Sequence, residues 1–393
     1  MNVINLDHNA TTTVAPEVIE AVARVHRDGL ANPASGHRLG QRARQTLEAA
    51  REAIAELLGA DLTDRKPDRL VFCATGSEAN NLAILGMVRA ATSLRNTAQK
   101  TAKGHLIFSG MEHSCIVGAI ERLIDEGNDV DALGVHPDGT VRVERFKELL
   151  RDQTRLCTCL LANHETGVIQ PIGELARLSA DAGIPLHTDA VQAVGKLPIR
   201  FRELGVSSMS VAAHKFHGPP SIAALLLRHD VTIEPVLFGG NQQYGLRPGT
   251  EPVALAVGMR TALELFQRRQ EEEIDRMLAL RDRFESSLKK ELPELIIHGL
   301  QAERLPQTVN IAFPNINNGE AFFTALDLAG IACSMGSACQ TGACQLSVTL
   351  LSMGVPHRLS NRSFRFSFCN TTTEQEIDEA VRIIIRTYRS QQN

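Results

Sequence analysis

Short apolar runs rich in β-branched residues alternate along the chain with longer stretches in which apolar residues recur three and four positions apart. Leu70-Val71-Phe72, Leu106-Ile107-Phe108, Leu156 to Leu161 and Ile222 to Leu227 read as buried strands. Glu78 to Val88, Ile116 to Ile124 and Ile172 to Ala180 carry the spacing of crossover helices. Strand and helix in alternation predict a mainly parallel sheet covered by helices, with right-handed βαβ units. From Glu251 to Leu292 the pattern becomes one long, charge-laced helix, a spine joining the first region to a second. The remainder, through Phe322-Phe323 and Ile377 to Ile385, mixes strands and helices as a smaller α+β unit.

The chain has 393 residues, enough for two packed cores. A formal charge of −4 removes nucleic acid as an expected partner, because no basic excess is available for a phosphate backbone. No stretch approaches the roughly 18 uninterrupted apolar residues of a membrane helix, and residues 1–30 lack a basic start followed by an apolar region. A cytoplasmic protein away from membranes is expected. Eight cysteines in a chain this long are too sparse for a disulfide scaffold. Cys157 and Cys159 lie in a strand run and are expected to be buried and inert.

Three segments carry candidate chemistry. Ala74-Thr75-Gly76-Ser77-Glu78 follows a strand run and opens a helix, where free amides bind anions and Gly allows close approach. An ordinary capped helix would show the same residues. In His187-Thr188-Asp189-Ala190-Val191-Gln192, Asp189 stands at a strand end, where open α/β sheets place ligand groups; a helix cap is the simpler reading of an isolated Asp. Lys215, in Ala213-His214-Lys215-Phe216-His217-Gly218-Pro219, is either a solvated loop residue or an amine whose desolvation makes it nucleophilic. Together the three are more specific. A cofactor with an aldehyde, a pyridine nitrogen and a phosphate needs a lysine, a carboxylate and an anion cradle.

With Asn9-Ala10-Thr11-Thr12, Asn32-Pro33, Glu112-His113, Asn163, Glu165 and Gly167, Arg247-Pro248-Gly249-Thr250 and Gly336-Ser337-Ala338-Cys339 in the same order, the chain resembles the cysteine desulfurases of the nitrogen-fixation and iron-sulfur-cluster type. The resemblance implies the aspartate-aminotransferase-like fold (fold type I), with a large pyridoxal-phosphate-binding domain over residues 13–255. A small domain would be built from residues 1–12 and 256–393, carrying the cysteine loop. It implies pyridoxal 5'-phosphate as cofactor, joined to Lys215, with Asp189 on the ring nitrogen and His113 stacked on the ring and moving protons. Gln192 and Asn163 would reach ring or substrate atoms. Gly76, Ser77, His214 and, from the other subunit of a homodimer, Thr250 would hold the phosphate. Arg365 would grip the carboxylate of L-cysteine, with Asn9 and Asn163 beside it. Cys339 would accept the sulfur as a persulfide and hand it to an acceptor protein for cluster assembly or tRNA thiolation, leaving L-alanine.

The sequence departs from the family pattern at Ala212-Ala213, where a phosphate-binding Ser is usual, at Pro220-Ser221, and at Gln243. Cys333 and Cys344 flank Cys339 without a compact metal-binding pair, so no metal is expected. A selenocysteine lyase, another class V aminotransferase-type enzyme and a non-catalytic scaffold of the same fold remain as alternatives.

Overall fold

The structure, a computed structural model, describes residues 3–29, 31–93, 104–336 and 346–391. Its main sheet has the strand order Arg69–Cys73, Ala223–Leu227, Ser208–Ala212, Leu186–Asp189, Thr154–Thr158, His105–Phe108, Asp129–Ala132. All neighbours pair in parallel except Ala223–Leu227, which is antiparallel to both strands beside it. The expectation of a mainly parallel sheet holds, and the exception has a simple cause. Only residues 213–222 separate Ser208–Ala212 from Ala223–Leu227, fewer than a parallel crossover requires. The run read as Leu156 to Leu161 leaves the regular strand at Thr158, although the Cys159 and Leu161 amides still donate to the carbonyls of His187 and Asp189 at 3.1 and 2.9 Å.

The helices Gly76–Ser93, Ser114–Asp125 and Ile172–Asp181 cover the sheet where the helical spacing placed them. Leu82, Ile84, Ile116 and Ile120 close one face, and Leu47, Ile54, Phe201 and Leu175 the other. A separate core gathers Phe284, Phe313, Phe322, Phe364, Phe366 and Tyr388 around the antiparallel sheet Ser334–Met335, Ser363–Ser367, Thr308–Ala312, Ile296–Ile297. Phe313 lies 5.0 to 5.7 Å from the rings of Phe322, Phe364 and Tyr388, in the tilted and edge-on geometries that aromatic quadrupoles favour.

The long helix, Val253–Glu291, serves both cores. Val253, Met259 and Leu263 pack with the large sheet, whereas Met277, Leu280, Phe284 and Leu288 pack with the second core. The change of side falls around Arg269, whose backbone is non-helical (φ −125°). The N-terminal segment is the other link. Ile4–Asn5 pairs in parallel with Ile331–Ala332, and Thr12 donates from both its amide and its hydroxyl to the His214 carbonyl at 2.9 Å. Residues 7–12 therefore run from the second core to the loop that follows Ser208–Ala212. Among the described residues no helix is long and apolar enough to cross a membrane.

Candidate active site

Asp189 ends its strand at the C-terminal edge of the sheet, with its carboxylate held from two directions. Oδ1 accepts from the Val191 amide at 2.9 Å, and Oδ2 accepts from Asn80 Nδ2 at 2.7 Å. Asn80 lies one turn into the helix that begins at Gly76, so the element offering free amides also fixes the carboxylate. The orientation of the Asn80 amide is set by its other half. Asn80 Oδ1 sits 3.0 Å from His187 Nε2, and His187 Nδ1 sits 2.8 Å from Ser208 Oγ. Burial brings the His187 ring down to about 3, so it is neutral. Because Asn80 presents an oxygen, His187 carries its proton on Nε2 and the Ser208 hydroxyl donates to Nδ1. This chain leaves Asp189 facing one polar group that can only donate.

Lys215 follows Ser208–Ala212 in a short 3-10 turn, Ala213–Lys215. Its Nζ donates to the carbonyls of Asn9 at 2.6 Å and Ala10 at 2.8 Å. Gln192 reaches the same Asn9 carbonyl through Nε2 at 3.1 Å, which leaves its buried Oε1 without a partner among the described residues. His214 lies 3.2 Å from the Thr11 hydroxyl; burial and the neighbouring Lys215 and Lys196 charges bring it down to about 4, so it contributes hydrogen bonds and no charge near pH 7.

His113 caps the helix Ser114–Asp125, its Nδ1 accepting from the Cys115 amide at 3.2 Å. A nitrogen that accepts an amide proton carries none itself, so neutral His113 is protonated on Nε2. The Cys115 sulfur lies 3.1 Å from His113 Nδ1 and 3.3 Å from Asn80 Nδ2, which joins His113 to the group holding Asp189. The ring of His113 meets that of His164 edge-on at 5.4 Å. Burial lowers His164 well below the usual histidine range, and the neighbouring titratable groups His113, Arg365 and Lys215 add to the effect. Glu112 is buried next to His113, and burial with the Asp189 charge pushes its carboxyl up to about 8.

Arg365, in the strand Ser363–Ser367 of the second core, donates through Nη1 to the His164 carbonyl at 2.9 Å. Its Nη2 donates to Asp7 Oδ1 at 2.7 Å and Ser334 Oγ at 2.9 Å. Its Nε is buried with no hydrogen-bond partner among the described residues. Asn9 and Asn163 both have partners within the protein. The Asn9 amide is occupied by Thr308 at 2.9 Å and Gln307 at 3.2 Å. Asn163 is fully buried; its Oδ1 accepts from the Glu165 and Thr166 amides at 2.9 Å, and its Nδ2 donates to Thr349 at 3.1 Å. Both side chains build the walls of the site.

Gly76 opens its helix close to the turn after Asp189, and a Cβ there would stand 3.0 Å from Val191 Cγ2. Ser77 is exposed at the same helix start. Thr250 is exposed in a turn whose Arg247 donates to Glu78 of that helix at 2.9 Å. Cys339, Ser337 and Cys344 lie outside the described residues. Cys157 and Cys159 are fully buried, and burial raises both thiols, in keeping with an inert role.

The donor set fits pyridoxal phosphate on its own terms: an amine, a carboxylate locked by donors, a helix start that a side chain at position 76 would crowd, and an unpartnered buried acceptor at Gln192. The residues that sequence reasoning missed are Asn80, His187, His164 and Asp7. An Asn at helical spacing from Gly76 is the only local signal among them, since the others acquire meaning from partners distant in the chain.

The family described as "Aminotransferase class-V" matches residues 4–380. A "Cysteine desulfurase" of Trichormus azollae is 37% identical over 384 residues, covering 98% of this chain and 92% of the relative. An "IscS-like cysteine desulfurase" of Mycobacterium tuberculosis is 38% identical, covering 96% and 94%. The solved structure of a NifS-like protein from Rickettsia africae superposes with a TM-score of 0.87 at 29% identity, covering 99% of this chain and 100% of that one.

Proposed function

The chain belongs to the class V aminotransferase family and, within it, to the cysteine desulfurases, and from that premise we propose how its own residues convert L-cysteine to L-alanine with Cys339 receiving the sulfur. The family depends on pyridoxal phosphate, which when bound supplies the electron sink for charge left at the substrate α-carbon. The observation that carries the reading is the convergence of Lys215, Arg365 and Gln192, three positions after Asp189, on the short segment from Asp7 to Ala10.

Lys215 supplies the amine that joins the cofactor and then moves a proton at the substrate α-carbon. The carbonyls of Asn9 and Ala10 hold its Nζ in place until then. Asp189 would pair with the ring nitrogen of the bound cofactor, and the Asn80 donor keeps the carboxylate oriented for that task. His113 would stack on the bound cofactor and could exchange protons through Nε2, since Nδ1 is committed to the helix cap. Gly76 and Ser77 offer the helix start to the phosphate, His214 adds a neutral donor, and Thr250 reaches it from the second subunit of a homodimer. Leu237, Phe238 and Tyr244, exposed in the segment leading to Thr250, support that subunit contact; Phe238 is 87% exposed in the single chain. Arg365 receives the substrate carboxylate through its unpartnered Nε, while Asp7, Ser334 and the His164 carbonyl hold the rest of the guanidinium. Gln192 Oε1 accepts from the cofactor or substrate; Asn163 and Asn9 act by holding the loops that carry these groups.

The Cys339 thiolate attacks the substrate sulfur, forming an S–S bond as the C–S bond breaks. The persulfide passes to a thiol of an acceptor protein serving iron-sulfur cluster assembly or tRNA thiolation. In this reading the two cores belong to two domains, a large one over residues 13–255 and a small one built from residues 1–12 and 256–393. The reading places the protein in the cytoplasm, without a direct role for membranes or nucleic acid.

The test is to incubate the holoenzyme with L-cysteine, quantify alanine and locate any added sulfur by peptide mass. Equal amounts of alanine and sulfur, with the persulfide on Cys339, are expected. Cys339→Ser should retain the cofactor's visible band and lose both products. Wild-type alanine release by that variant, or a persulfide confined to Cys333 or Cys344, overturns the assignment.

A further inference from the structure

Behind Lys215, between the two cores, lies a second chemical site. A cavity of about 40 Å³, room for a few water-sized molecules, is lined by Lys215 together with Lys196, Gln307, Glu273 and Cys369. Cys369 follows the strand Ser363–Ser367, and its sulfur is surrounded by donors. The Thr371 hydroxyl lies 3.0 Å away and the Thr372 hydroxyl 3.8 Å away, and His8 completes the set. Burial by itself would raise this thiol, yet the hydrogen bonds and charge of His8 and the hydrogen bonds of Thr371 bring it down to about 7. Burial instead drives Cys73, Cys157, Cys159 and Cys333 upward. Cys369 therefore differs from these four buried thiols in having neighbours that favour the thiolate.

The cavity also asks for a guest. Gln307 is 1% exposed, and its Oε1 has no hydrogen-bond partner among the described residues. The buried Nδ1 of His8, beside Cys369, is likewise without one. An orphaned acceptor at a cavity of this size can be satisfied by a small molecule bearing O–H groups. Lys196 contributes an amine whose ammonium burial, with the Lys215 charge, brings down to about 7, so it both gives and takes protons near neutrality.

We propose that Cys369 is a modification site for hydrogen peroxide, a thiolate that is oxidised to a sulfenic acid inside this cavity. The thiolate sulfur attacks one peroxide oxygen; the S–O bond forms, the O–O bond breaks, sulfur loses two electrons and peroxide gains them. The departing hydroxide takes a proton from the Lys196 ammonium and leaves as water. The new S–O–H group brings a donor to the cavity wall where Gln307 Oε1 has none. A small-molecule dithiol reverses the step, the dithiol becoming a disulfide and the sulfenic oxygen leaving as water.

The site is wired to the cofactor lysine from two sides. Lys196 Nζ donates to the Lys215 carbonyl at 2.6 Å, and His8 immediately precedes Asn9, whose carbonyl holds Lys215 Nζ. Oxidation replaces an anionic acceptor next to these groups by a neutral hydroxyl, so both restraints on Lys215 change together.

The experiment uses the Cys339→Ser holoenzyme, which removes the proposed sulfur-accepting thiol as a competitor. It is treated with hydrogen peroxide in the presence of a cyclic 1,3-diketone that traps sulfenic acids, and labelled peptides are read by mass. The expected result is label on Cys369 at least tenfold above that on Cys157 or Cys333, absent after prior dithiol treatment of the oxidised protein. A second readout is the cofactor's visible band, which should shift on oxidation in Cys339→Ser and stay fixed in Cys339→Ser/Cys369→Ala. If the double variant does not fold, Thr371→Val in the Cys339→Ser background removes one donor and should slow labelling of Cys369 several-fold. Label confined to other cysteines overturns the site, and a band that shifts equally without Cys369 overturns its link to Lys215.

Discussion

The two ends of the active site are charged oppositely and built by different means. The Asp189 end is assembled wholly within the large sheet and its covering helix, from Asn80, His187 and Ser208, with neutral groups holding one anion. The Arg365 end is assembled across the two cores, its cation held by a carboxylate from the N-terminal segment, a hydroxyl of the second core and a carbonyl of the first. The difference teaches where each end is vulnerable. A neutral relay tolerates pH well until a member is removed or protonated, whereas a cross-core ion pair makes substrate binding depend on how the cores dock.

The largest effect is expected at Arg365→Ala. Breaking a buried pair costs roughly 3–5 kcal/mol, reduced here because the Asp7 side chain is 24% exposed. Denaturant unfolding should therefore show a loss of about 2–3 kcal/mol, and KM for L-cysteine should rise more than tenfold. A variant as stable as the parent would show that Asp7 and Arg365 are held independently of their pairing.

An intermediate effect is expected at Asn80→Ala, which leaves Asp189 one donor short and His187 Nε2–H without an acceptor. The loss should be about 1–3 kcal/mol, with the cofactor's visible band displaced in pH and KM for cysteine little altered. A changed KM with an unchanged band would move Asn80 to the substrate side of the comparison.

The smallest effect is a slope. His187 takes up a proton near its ordinary value when unfolded but only at about 3 when folded. Between those values the unfolded chain binds more protons, so stability falls as pH drops from about 6.5 toward 3. His298 and His214, each brought down to about 4 with burial as the leading cause, act in the same direction over the upper part of that range. His187→Gln, which keeps an N–H for Asn80, should remove up to about 1.4 kcal/mol per pH unit from this slope, read from denaturant midpoints between pH 6 and 5. An unchanged slope would place the acid sensitivity elsewhere.

The Asp189 end was the more legible in sequence, for a physical reason. Strand, turn and helix start announce themselves through local periodicity, and the groups that a sheet edge presents can be located from its own segment. The same logic placed Lys215 one turn beyond its strand. What local pattern cannot carry is the partner. Nothing near His187 announces Asn80, and nothing near Arg365 announces Asp7. The antiparallel Ala223–Leu227 escaped because an apolar run reads alike in either direction, and only the length of the preceding connection decides it. Asn9 and Asn163, implied as substrate contacts by resemblance, are occupied by loop amides and neighbouring side chains that no motif records.

Arg365 and Ser367 each meet a partner 358 positions earlier, at Asp7 and Asn9. On a ribosome adding about 5–20 residues per second, that separation corresponds to roughly 18–72 s of synthesis. The large sheet has all its strands long before then, so a nascent chain can shape the Asp189 end while the substrate-gripping end does not yet exist. The N-terminal segment that restrains Lys215 is the first made and the last seated.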